Sequence, residues 1–168
     1  MIHAIPLPRR SFLKSLAAAT LAGPALGLAE PGVKRRGIKL GMDNFAVRAM
    51  GWKAKVLIDY AAKLRVDSLL ISDLDAYESL EEPHLLEVKT KAADAGIELF
   101  AGSWSICPTA AKFKKNWGTA EEHVRLGLRV AKTLGSPVFR VVLGSSDDRM
   151  SPGGIRARIA DTVKVLKT

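Results

Sequence analysis

Val138-Phe139-Arg140-Val141-Val142-Leu143-Gly144, running into Ser145-Ser146-Asp147-Asp148, decides how this chain folds. A short β-branched run that is almost wholly apolar reads as a buried strand. The glycine and polar residues after it read as a loop. In a parallel α/β protein, the junction between a strand's C-terminal end and the next loop is where ligands sit.

Three similar strand–loop–helix units precede this stretch. Ile38–Met42 predicts a first strand ending at Asp43 and Asn44. A helix over Trp52–Leu64 follows, with Val56, Leu57, Tyr60, Ala61 and Leu64 on one face. Ser68–Ser72 predicts the second strand, ending at Asp73 and Asp75. The second helix opens at Glu81-Glu82-Pro83, because proline and acids both suit a first helical turn. It runs through Leu85, Leu86, Val88, Ala92 and Ala93 and stops at Gly96, a good C′ residue. Ile97–Ala101 predicts the third strand, leading to Trp104 and a long loop from Ile106 to Gly118.

Thr119 and Glu122 have capping-box spacing. They open a third helix whose stripe is Val124, Leu128, Ala131 and Leu134, ended by Gly135. After the opening strand, Ser151-Pro152 starts a fourth helix with Ile155, Ile159, Val163 and Leu166 on its buried side. The first three strands start about 30 residues apart and the fourth about 40 further on, the usual size of a βαβ unit. The fold class is therefore α/β, with four βα units on a parallel sheet. Right-handed crossovers put every strand's C-terminal end on one side. That side collects the candidate ligand contacts Asp43, Asp73, Trp104, Arg140 and Ser145, with further carboxylates at Asp75, Asp147 and Asp148.

Each candidate has a structural reading beside the functional one. Arg140, inside an apolar strand, needs a partner: an acid such as Asp43 or Asp73, or a substrate anion. Trp104 either caps the core or forms an aromatic plate for a sugar. Ser145–Asp148 reads as a βα turn with a helix cap, or as a phosphate cradle aided by Gly153 and Gly154. Lys112–Trp117 reads as a solvated loop anchored by two aromatics, or as a phosphate or nucleic-acid contact. His84 and His123 fall near helix starts and read as surface residues. Cys107, the only cysteine, excludes an intrachain disulfide and reads as a packed small residue.

The 168 residues suffice for one domain with a core. Hydrophobic residues make up 48% and charged residues 26%, a globular balance. The formal net charge is +9. Part of it lies in Arg9-Arg10-Ser11-Phe12-Leu13-Lys14, a twin-arginine pattern followed by an apolar stretch and small residues at Gly27 and Ala29. Residues 1–29 thus read as a twin-arginine signal peptide and 30–36 as a linker, and the expected location is periplasmic or exported. Cleavage before Glu30 leaves a net charge of +6 and no stable membrane anchor. This mild excess does not by itself call for nucleic acid.

Several segments together resemble the xylose-isomerase-like (β/α)8 TIM barrels, the sugar phosphate isomerase and epimerase group. They are the early Ile38-Lys39-Leu40-Gly41, Ala61–Ser68 leading into strand two, Ala95–Leu99, and Ala131–Val141. The resemblance covers about residues 37–168 and identifies them as the N-terminal half of such a barrel. Two positions depart from the family's pattern. Arg65 stands where members usually have glycine, and Leu70 where they often have glutamate, a role that Asp73 could take.

The resemblance implies proton transfer next to a sugar carbonyl, a sugar or sugar phosphate as ligand, and a divalent metal (Mn, Mg, Co or Zn). The family's metal ligands come from the fifth strand onward, so none is expected in this chain, and catalytic residues are not assigned. The alternatives are a non-catalytic exported half-barrel that binds a sugar or a protein, and an endonuclease-IV-like relative. Two chains closing one barrel through exposed sheet edges is the expected form of a homodimer. A self-contained doubly wound domain is a further fold reading, but the chain lacks its glycine-rich first loop.

Overall fold

The computed structural model describes residues 37–168; the signal peptide and linker read at 1–36 lie outside the described residues. Four strands, β1 (Gly41–Asp43), β2 (Ser68–Ile71), β3 (Glu98–Gly102) and β4 (Phe139–Arg140), form one sheet in the order β1-β2-β3-β4. Every neighbouring pair is parallel. Helices α1 (Ala54–Lys63), α2 (Glu82–Asp94) and α3 (Ala120–Leu134) follow the first three strands. The fourth strand is followed by a short α4 (Ser146–Met150) and a longer α5 (Gly154–Leu166). The expected four βα units are present. No helix of the described residues is long and apolar enough to cross a membrane.

The core sits between the inner strands and the first three helices. Leu69, Ile71, Leu57, Ile58, Leu85, Val88 and Val130 are buried almost completely. Each such side chain contributes about 1.5–3 kcal/mol by leaving water. The α3 capping box forms as its spacing requires: Glu122 N–H donates to Thr119 Oγ1 at 3.2 Å, and Thr119 N–H donates to Glu122 at 2.7 Å. Gly96 and Gly135 end helical segments with positive φ, as expected. Arg65 also has positive φ, at 56°, the one non-glycine among the described residues to do so. The turn before β2 therefore needs the left-handed conformation that a glycine adopts freely and an arginine adopts at a cost of about 1 kcal/mol.

The structure corrects several details. The strand predicted over 138–144 pairs only at Phe139 and Arg140. Among the described residues it has a neighbour on one side alone, so little holds the rest in a ladder. On α1, Ala54, Leu57, Ile58 and Ala61 are buried, while Val56 and, at the cap just past the helix, Leu64 are exposed.

On α3 the buried stripe is Ala120, His123, Gly127, Val130, Ala131 and Leu134, and Leu128 faces solvent. The cause is Phe139, whose ring presses against Gly127. A Cβ there would stand 2.0 Å from the ring. Glycine acts as the socket, and periodicity of apolar residues does not register it. His123, read as a surface residue, is fully buried.

The last helix is reversed. Ser151-Pro152 separates two helices, and Gly153 precedes α5. Arg158, Thr162 and Val165 face inward, whereas Ile155, Ile159, Val163 and Leu166 are exposed. Polar bonds set this orientation. Arg158 donates to the Thr109 carbonyl at 2.8 Å and lies 4.0 Å from the buried Asp148.

Candidate functional site

A cavity of about 440 Å³ opens at the C-terminal ends of the strands. Each strand end contributes to its wall: Asn44 and Phe45 after β1, Ser72 and Asp73 after β2, Trp104 after β3, and Arg140 with Val142 at β4. Strand ends are where chain direction changes, so polar groups there need not join the ladder and can face a ligand. The Asn44 side-chain carbonyl accepts from both the backbone N–H and the hydroxyl of Ser72, each at 2.8 Å. That buried pair ties the first two strand ends together.

Asp73 is the hub. Trp104 Nε1–H donates to its carboxylate, and Lys114 Nζ donates to the same oxygen at 2.8 Å. Lys114 also bonds Asp75. The long loop after β3 thus reaches back to the end of β2 and lodges an ammonium between two carboxylates. Burial of Lys114 works against its charge, but its hydrogen bonds to Asp73 and Asp75 outweigh this, and its pKa lies above the ordinary 10.5. Lys114 is therefore not a solvated loop cation, and the phosphate or nucleic-acid reading of Lys112–Trp117 loses its central charge. Trp104 meets Phe45 edge to face, with ring centroids 6.2 Å apart, and the Arg48 guanidinium lies 3.8 Å from the Phe45 ring centre.

Arg140 is exposed at the cavity wall. The predicted ion pair with Asp43 or Asp73 is not formed, because Asp73 takes Trp104 and Lys114 and Asp43 caps the turn that follows it. Asp43 accepts from Phe45 N–H at 2.9 Å and stands outside the cavity lining. Ser145 is likewise a capping group: its N–H donates to Asp148 at 2.6 Å. The structure therefore brings Asp73, Trp104 and Arg140 together and leaves Asp43 and Ser145 at structural turns.

Asp148 serves the same scaffold. It also accepts from Ala111 N–H at 2.8 Å, and these backbone bonds hold its carboxyl below the usual 3.8. No phosphate cradle forms, since the amide that would face an anion is already given to this carboxylate.

Sequence reasoning missed two residues of this region. Lys114 was grouped with its charged neighbours. His123 packs behind the site, with Nε2 2.7 Å from Ser103 Oγ, and its Nδ1 is buried without a partner. Burial pushes its pKa below the usual 6.5, against a smaller upward pull from Asp73.

The resemblance implies a divalent metal. Among the described residues no group of three or more His, Cys, Asp or Glu is placed to hold one. The two carboxylates that come together already share an ammonium, and His123 is turned to Ser103. The described residues do not fit a metal.

No family model matches the sequence, and no curated protein does. Among solved structures, the chain is similar to D-psicose 3-epimerase from Clostridium cellulolyticum H10, crystallised with D-tagatose. The TM-score is 0.50 at 20% identity, covering 77% of this chain and 48% of that one. The chain thus spans about half the length of the epimerase it matches. At this identity the likeness shows the fold: four βα units corresponding to part of a (β/α)8 barrel.

Proposed function

We propose that this chain is the sugar-binding N-terminal half of an exported sugar isomerase- or epimerase-like barrel. The observation that carries the reading is the strand-end cavity that holds Trp104, Asp73 and Arg140 together on a fold shared with a sugar epimerase. In this reading Trp104 offers its face to the apolar side of a sugar ring, and its N–H stays fixed on Asp73. Arg140 donates to ring hydroxyls or to a phosphate on the sugar. Asp73 and Asp75 accept from hydroxyls once Lys114 gives way. Proton transfer beside the carbonyl needs a base, and Asp73 is engaged by two donors. The base and any metal therefore belong to the barrel strands beyond this half.

A second reading, a sugar-binding half-barrel without catalysis, is favoured by Lys114, whose ammonium fills the place between the carboxylates. Turnover of ketohexoses by a barrel that includes the strands beyond this half separates the two, since this half alone supplies no base in either reading. Export rests on Arg9-Arg10-Ser11-Phe12-Leu13-Lys14. An Arg9→Lys/Arg10→Lys variant should be retained in the cytoplasm by cell fractionation, and continued export would reject this route.

Binding is tested by titrating D-tagatose or D-psicose into the protein while following the Trp104 indole N–H by NMR. A saturable shift in the millimolar range is expected, weakened at least tenfold by Trp104→Ala or Arg140→Ala. An indole signal that does not respond at any attainable sugar concentration would reject the reading.

A further inference from the structure

The buried face of α3 carries one polar side chain, His123, among Ala120, Gly127, Val130, Ala131 and Leu134. His123 has no exposed surface, and neither has Ser103, whose hydroxyl shares a 2.7 Å hydrogen bond with its Nε2. An aliphatic side chain would fill this position without a cost that His123 carries: its Nδ1 is buried and unpaired among the described residues. Packing alone therefore does not call for an imidazole here. What the imidazole adds is a hold on Ser103.

Ser103 stands where the third and fourth strands release their chains toward the cavity. Its backbone N–H donates to the Arg140 carbonyl at 2.8 Å, one rung beyond the register pairs Ala101–Phe139 and Gly102–Arg140. The next residue, Trp104, lines the cavity and is tied to Asp73 through its indole N–H. One turn further along α3, Gly127 seats the Phe139 ring, and the residue after Phe139 is Arg140. Side chains alternate along extended backbone. Ser103 and Phe139 accordingly meet α3, and the residues that follow them, Trp104 and Arg140, line the cavity.

We infer that His123 is a positioning residue for this cavity. It lines no part of the cavity itself. It fixes the Ser103 side chain, and the Ser103 backbone in turn places Trp104 by covalent connection and Arg140 by the last rung of the sheet. The Trp104 side chain is then held at both ends, by Ser103 at its backbone and by Asp73 at its ring nitrogen. The consequence for ligand affinity rests on the sugar reading of the cavity, whereas the placement of Trp104 does not.

The test reads the Trp104 indole N–H by NMR in the full chain, first without sugar and then during titration with D-tagatose. His123→Leu keeps a core side chain and removes the hydrogen bond. Ser103→Ala removes the same bond from the other side with a smaller change in volume. Both should move the ligand-free Trp104 signal in the same direction and weaken D-tagatose binding about three- to tenfold, the range set by one lost hydrogen bond. His123→Gln, whose amide reaches the place of Nε2, should return both readings toward wild type. Helical circular dichroism checks that each variant is folded. An unmoved indole signal in folded Ser103→Ala would overturn the inference, as would a His123→Gln protein no closer to wild type than His123→Leu. Wild-type protein that ignores D-tagatose would reject the sugar reading alone, because the ligand-free signal still tests His123.

Discussion

The two middle units and the two outer units are built from the same kinds of residue, yet they end up in different surroundings. Leu69 and Ile71 of β2 have no exposed surface, whereas Leu40 beside β1 and Val138 beside β4 are about half exposed. The difference is not hydrophobicity but the number of neighbours. A middle strand has a strand on each side and helices over it. Among the described residues an outer strand has one partner. Burial in this fold is conferred by the next unit, and the candidate site lies where all four units end together.

The sharpest way to break this contrast is to truncate an apolar residue in each region. Ile71→Ala should cost about 2–5 kcal/mol in urea unfolding, because it leaves a void where nothing can close in. Ile159→Ala, at an exposed position, should stay within about 0.5 kcal/mol. Equal losses would show that the outer units are packed as tightly as the middle ones.

A smaller effect is expected where the outer strand is fastened to the middle. Gly127→Ala puts a methyl group into the Phe139 ring. Helix propensity favours alanine by up to about 1 kcal/mol, and overpacking costs about 1–3 kcal/mol. A net loss of about 1 kcal/mol is predicted, with β4 amides exchanging faster. A gain in stability would mean that Phe139 is not seated there.

At Arg65 the sign reverses. Arg65→Gly should raise stability by about 0.5–1 kcal/mol, since glycine adopts the required φ without strain. A loss measured by thermal melting would show that the contacts of this side chain outweigh its backbone cost.

The smallest expected effect is on pH dependence. His123 is held uncharged by burial, with its pKa depressed below 6.5. The unfolded chain takes up the proton first as pH falls, so stability is full above about pH 6.5 and declines below it. Denaturant titrations should show a slope approaching one proton, which His123→Gln removes. An identical slope in both proteins would assign the decline to other groups.

Much of the fold was legible because it depends on local punctuation. The Thr119 and Glu122 pair, Gly96 and Gly135 mark helix ends by chemistry acting over a few residues. The order of strands and helices follows from them. The orientation of α5 was not legible, because Ile155, Ile159, Val163 and Leu166 look like a core stripe unless one knows that Arg158 is held by Thr109 and the buried Asp148. The stripe of α3 was misread for a similar reason: its deepest contact is made by Gly127, which carries no hydrophobic signal.

Within the site, the juxtaposition of Asp73, Trp104 and Arg140 followed from strand-end topology. Lys114 did not, since a loop lysine reaching 41 residues back to Asp73 leaves no local pattern. Arg65 is the opposite case, where one unusual residue in the sequence coincides with the one left-handed non-glycine backbone position described.

Hydrogen exchange of the four strands tests the central contrast most directly. Peptides covering β2 and β3 should be strongly protected. Peptides covering 38–43 and 138–144 should exchange faster. Uniform protection of all four strands would contradict the account.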